Sequence, residues 1–118
     1  MFARVLRSRF RAGKVDQAVE LFEKNVLPQC RKQPGFKGAY FLDDRGTGES
    51  VAITFWESEE AMLASERNQF FQQQVAKFIP YYEGSPVREA YEVILKEGVR
   101  KRRPPLPPPD EKSKNKSL

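Results

Sequence analysis

Apolar and polar side chains alternate from Phe2 to Phe10, with Phe2, Leu6 and Phe10 on one side and Ala3, Val5, Arg7 and Arg9 on the other. A period of two predicts a strand. After Ala12-Gly13 the period lengthens. Val15, Ala18, Val19, Phe22, Val26 and Cys30 form an apolar stripe, while Asp16, Glu20, Glu23 and Lys24 lie off it, which predicts a helix. Pro28 removes one internal hydrogen bond and bends the last turns, and "QPGF" at residues 33–36 ends them. Phe36 to Leu42 and Ser50 to Trp56 then read as strands. The polar, glycine-bearing turn "DDRGTGE" between them leaves room only for an antiparallel hairpin.

Ser58 is placed to cap a second helix whose first turn holds Glu59 and Glu60, where carboxylates favour the positive end of the helix dipole. This helix is expected to reach about Tyr81, with Met62, Phe71, Val75, Phe78 and Tyr82 on its apolar side and an interruption near Asn68. Pro80 and "EGSP" close it. Glu89 to Glu97 alternates again and predicts a fourth strand. The order βαββαβ predicts a ferredoxin-like α+β domain over residues 1–97, a four-stranded antiparallel sheet with both helices on one face.

The Val51, Ile53, Phe55 set best suits the helices, which assigns Ala52, Thr54 and Trp56 to the open face. A hairpin loop of even length brings Lys37, Ala39 and Phe41 onto the same face as Trp56; an odd one brings Phe36, Gly38 and Tyr40. Either way aromatic surface is bare on a lone subunit, so a homodimer is expected in which two sheets close into a dimeric α/β barrel.

Charge changes the picture only at one end. The net charge of +5 lies wholly in residues 98–118, which hold 7 Lys/Arg and 2 Asp/Glu, whereas residues 1–97 hold 14 of each. The folded part therefore carries no electrostatic footprint for nucleic acid. The tail "GVRKRRPPLPPPDEKSKNKSL" has too few apolar side chains to fold and is expected to be disordered, with a polyproline stretch near Pro104 to Pro109. Arg102, Pro105 and Pro108 match the spacing read by aromatic-grooved proline-recognition modules, and a solubilising extension with no partner is the alternative. No apolar run is long enough to span a bilayer and no signal peptide is evident, so the chain is expected to be cytoplasmic without a membrane partner. One cysteine and no histidine argue against a conventional metal site and leave carboxylates, Lys, Tyr or Cys for proton transfer.

Candidate ligand-binding residues follow from these placements. Trp56 either lines a pocket or fills the interior. Arg7 or Arg9 either holds an anionic or phenolic oxygen or pairs at the surface. Lys37 is the candidate base on the Trp56 face if the loop is even, and Asn68 at the helix interruption either points inward or merely marks the break. Cys30 reads as a small buried apolar side chain.

The order of elements and the stretches "VLPQCRKQPGF" and "ITFWESEEAM" resemble the antibiotic biosynthesis monooxygenase family over roughly residues 1–97. Pro34, Gly35 and Phe36 stand at that family's turn before strand two, and Trp56 at the end of strand three. The resemblance implies a pocket between sheet and helices, lined by Trp56, where some members oxidise aromatic substrates with molecular oxygen and no metal or flavin. A haem-degrading branch relies on an asparagine in strand one and a histidine on the following helix; this chain has neither, and Glu66 stands at the histidine's place. Two functions stay open: cofactor-independent oxygenation of an aromatic or quinol-like molecule, and a non-catalytic ligand-binding or assembly domain.

Overall fold

Strand β1 (Phe2–Arg9) runs between β3 (Glu49–Trp56) and β4 (Val87–Glu92), and β2 (Phe36–Asp44) borders β3, giving the antiparallel order β2-β3-β1-β4 of a ferredoxin-like sheet. This is seen in a computed structural model that describes residues 1–98. Apart from Gly98, the expected proline-rich tail lies outside the described residues.

The first helical region is one continuous rod in three parts: α1 (Val15–Leu21), a π-helical turn (Phe22–Val26) and α2 (Leu27–Cys30). Pro28 accounts for the π turn. It has no N–H for the carbonyl of Lys24, and its ring would collide with that carbonyl in a regular α-helix. The turn widens instead, and the Leu27 N–H bonds to the carbonyl of Phe22, five residues back. Ala18, Phe22, Val26 and Cys30 are all buried, as the stripe predicts.

The second helical region is broken as expected. α3 (Glu59–Arg67) is capped by the Ser58 hydroxyl, which accepts from the Ala61 N–H at 3.1 Å. The break falls at Asn68 and Gln69, where Gln69 takes a left-handed φ of 70°. α4 (Phe70–Ala76) and a short 3-10 turn (Ile79–Tyr81) follow. Strand four differs from the expectation: β4 starts at Val87 and ends at Glu92. The Val93 N–H still bonds to the Met1 carbonyl at 2.9 Å, but β1 offers no pairing beyond its own first residue. Ile94 and Leu95 are then 82% and 83% exposed.

The two sheet faces are the reverse of the expected assignment. Ala52, Thr54 and Trp56 lie under the helices with Arg4, Leu6 and Phe41, whereas Val51, Ile53 and Phe55 point to the open side. The helix side does not take the most apolar set: beneath Phe22, Phe71 and Phe78 β3 presents Ser50, Ala52 and Thr54, and space is left between the layers. The hairpin loop is even, residues 45–48, and Ala39 and Phe41 share the Trp56 side as that parity requires. Lys37 does not. A bulge pairs Phe36 with Trp56 and Gly38 with Phe55, which makes Lys37 the extra residue and leaves it exposed. Phe36 takes its place, edge-on to Trp56 at 5.6 Å.

Candidate functional site

Between the sheet and the helices lies a cavity of about 630 Å³, its open mouth included. It exists because β3 presents Ser50, Ala52 and Thr54 inward, short side chains that leave the space beneath Phe22, Phe71 and Phe78 unfilled. The lining is mostly aromatic and aliphatic, as in sites for apolar ligands. Phe10 is stacked between Phe41 at 6.0 Å and Tyr82 at 5.4 Å, and Phe22 tilts onto Phe41 at 5.3 Å, so rings crowd the half nearer the β2–β3 hairpin. Leu6, Phe71 and Val75 line both this cavity and an outer groove that includes Ile79, Pro86 and Arg88.

The other half is dominated by Arg4, only 4% exposed. Its Nη1 donates to the Ser65 hydroxyl at 3.0 Å, to Glu66 Oε2 at 3.0 Å and, longer, to the Met62 carbonyl at 3.5 Å. The guanidinium carbon lies 4.0 Å from the Phe71 ring centre and 5.2 Å from that of Trp56, both within cation–π range. Glu66 is shared: the same Oε2 accepts from Arg88 at 2.9 and 3.1 Å. Burial pulls the Arg4 guanidinium below its ordinary pKa, and the hydrogen bond and charge of Glu66 oppose that pull. An arginine so placed remains a cation.

Arg4 is the residue that pattern reading passed over. Its parity is that of Phe2, Leu6 and Phe10, so a charge stands among positions otherwise given to the apolar side, and that conflict was the available signal. Trp56 is fully buried, donates its indole N–H to Thr54 Oγ1 at 3.0 Å and backs Arg4 and Phe36 without itself lining the cavity. The structure does not bring the other three candidates to it. Arg7 lies on the opposite sheet face, paired with Glu89 at 2.9 Å, because odd positions of β1 face away from the helices. Lys37 is turned out by the bulge. Asn68 is exposed, its Oδ1 accepting from the Phe70 N–H at 2.9 Å to start α4.

The sequence profile of the antibiotic biosynthesis monooxygenase family matches residues 1–77. The chain belongs to that family. An uncharacterized protein of Mycobacterium tuberculosis (strain ATCC 25618 / H37Rv) is 40% identical to this family member over 57 residues, 48% of this chain and 24% of that protein. The chain thus spans about a quarter of the length of the curated relative it matches. Among solved structures, the haem-degrader MhuD of Mycobacterium tuberculosis, with two haems in its active site, superposes with a TM-score of 0.66 at 22% identity, covering 83% of this chain and 100% of that one. A monooxygenase from ActVA-Orf6 of Streptomyces coelicolor, in complex with Nanaomycin D, gives 0.61 at 21% identity, covering 81% and 92%. These likenesses show the fold.

The donor set of this monooxygenase-family chain does not fit haem iron. The sequence has no histidine. Burial pushes the Cys30 thiol up to about 11, against the pull of Arg4, Arg31 and Lys77, and the Tyr82 phenol up to about 12, so neither cavity side chain is an anion at neutral pH. Among the described residues no cluster of His, Cys, Asp and Glu has metal-binding geometry, and no helix is long and apolar enough to cross a membrane.

Proposed function

We propose that the protein is a cofactor-independent monooxygenase for an aromatic or quinol-like small molecule, bound in the cavity with an ionised oxygen against Arg4. The observation that carries this is a cation almost wholly withdrawn from water at one end of an aromatic-lined space. Its hydrogen bonds among the described residues all use Nη1, which leaves Nε–H and Nη2–H for a ligand. A phenolate or enolate is stabilised by such a charge in a medium of low dielectric constant. Once deprotonated, an electron-rich ring carbon donates an electron to oxygen; a ring CH₂ then becomes C=O as O₂ is consumed and one water is released. The protein's part is to hold the anion and exclude water. The Streptomyces coelicolor monooxygenase, solved with Nanaomycin D, supports the reading at the level of fold.

A second reading keeps the cavity and omits turnover. The lack of histidine and the neutral states of Cys30 and Tyr82 favour it, since each removes a base. We further propose that the active form is a homodimer closed over the open sheet face, where Tyr40 and Leu42 are 62% and 50% exposed beside Val51, Ile53 and Phe55.

Oxygen uptake with anthrone-type and hydroquinone substrates separates the readings. Wild type should consume oxygen above the buffer blank, and Arg4→Met should lose at least about tenfold of that rate, the loss expected when an anion forfeits its only charged partner. This variant keeps Glu66 paired to Arg88, so no carboxylate is orphaned. Substrate binding without uptake would establish the second reading instead.

A further inference from the structure

At the hairpin end of the cavity three polar side chains cross the sheet in one row. Asp43 of β2 pairs with Ser50 of β3, and Ser50 pairs with Ser8 of β1, all on the side covered by helices. Ser8 and Ser50 line the cavity, and Ser50 is buried. The Ser50 hydroxyl donates to Asp43 Oδ1. Asp43 Oδ2 is buried and, among the described residues, has no hydrogen-bond partner. A carboxylate with an idle buried oxygen is costly, and native structures rarely keep one without a use. Of the hydrogen-bonded pair, Ser50 is the member that lines the cavity, with Asp43 behind it.

We infer that this row is a ligand subsite for a hydrogen-bond donor, a phenolic hydroxyl at the end of the ligand remote from Arg4. With its own proton committed to Asp43, Ser50 Oγ presents lone pairs to the cavity and is an acceptor there. The negative charge behind it strengthens that acceptance. Arg4 and Ser8 are four residues apart on β1, about 13 Å between Cα atoms at ordinary strand rise. The cavity therefore selects an elongated ligand with opposite hydrogen-bonding character at its two ends: an anionic oxygen at Arg4 and a hydroxyl at Ser50. This inference rests on the cavity reading above and adds the second anchor and the length of the ligand.

The test is calorimetric titration of the full chain with three probes: a hydroxynaphthoate bearing its carboxylate and hydroxyl at opposite ends of the ring pair, its methyl ether, and plain naphthoate. Wild type should bind the hydroxy compound roughly tenfold more tightly than the ether, as befits a hydrogen bond backed by a charge. In Ser50→Ala and in the near-isosteric Asp43→Asn that preference, read as the ratio of the two affinities within each variant, should shrink to about twofold or less. Should wild type bind naphthoate yet treat the hydroxy compound and its ether alike, the subsite is overturned while the Arg4 cavity stands. Failure of all three probes to bind overturns both. Because the probe comparison is made on wild type, a variant that folds poorly does not blunt the test.

Discussion

Arg4 and Phe71 meet face to ring, the guanidinium carbon 4.0 Å from the ring centre, and this contact joins the central strand to the helical lid of the cavity. Phe71→Leu keeps apolar volume but removes the π face, and should lower stability by about 1 kcal/mol, the usual worth of a partly desolvated cation–π pair. Phe71→Tyr should leave it nearly unchanged. Urea unfolding of the two variants checks this; equal losses would mean that the π face of Phe71 does not help to hold Arg4.

Cys30 should be a slow thiol. Its pKa is pushed from 9.0 to about 11, chiefly by burial, so at neutral pH the folded protein holds about a hundredfold less thiolate than the unfolded chain. Alkylation of native protein should lag behind that of denatured protein by at least that factor. The sign for stability follows by linkage: the unfolded thiol loses its proton first, so stability is intact below pH 9 and falls as pH rises toward about 11. Tyr82, raised from 10.0 to about 12, adds a loss of the same sign above pH 10. Denaturant midpoints across this range should fall, and fall less in Cys30→Ala.

Gly35 should not tolerate alanine. Its φ is +85°, and a Cβ built there would lie 2.5 Å from the Cβ of Ala61 on α3, while its carbonyl accepts from the Glu57 N–H at 2.7 Å. Left-handed strain and the collision together should cost Gly35→Ala about 2–4 kcal/mol, seen as a lower melting temperature. Gly35→Ala combined with Ala61→Gly should recover part of it, which strain alone would not permit.

The proposed dimer is probed by charge on the open face. Ile53→Arg places a cation between Tyr40 and Val5 on that face and should shift the sedimenting species from two chains to one at micromolar concentration, with the cavity's ligand affinity altered less than the mass. A wild-type chain that already sediments as a single subunit would remove the dimer.

How much of this could be read from the residues alone depends on what competes at each position. The helix stripe from Val15 to Cys30, the Ser58 cap, the break at Asn68 and the antiparallel hairpin all follow from local chemistry and stand as expected, whereas the even length of the hairpin loop, left open by the residues, is settled only by the pairing of β2 with β3. Face assignment failed at β3 because both faces are apolar for different reasons. Ranking Val51, Ile53 and Phe55 as the better core set assumed that the inner face would be filled, whereas it is kept partly empty. Lys37 was misplaced because a bulge between Phe36 and Gly38 is invisible to a strict period of two. Arg4 and the Asp43–Ser50–Ser8 row were missed for a shared reason: a polar residue at an inward position reads as noise until a neighbour across the sheet or on a helix gives it a partner.

The room between sheet and helices is made by what β3 lacks. Ser50, Ala52 and Thr54 hold the floor low, so a leucine at position 52 would raise it and narrow the space left for a guest. Receptor and solid core thus differ by a few side chains on the same backbone, and occupancy in related sequences should be judged first from the bulk of these three.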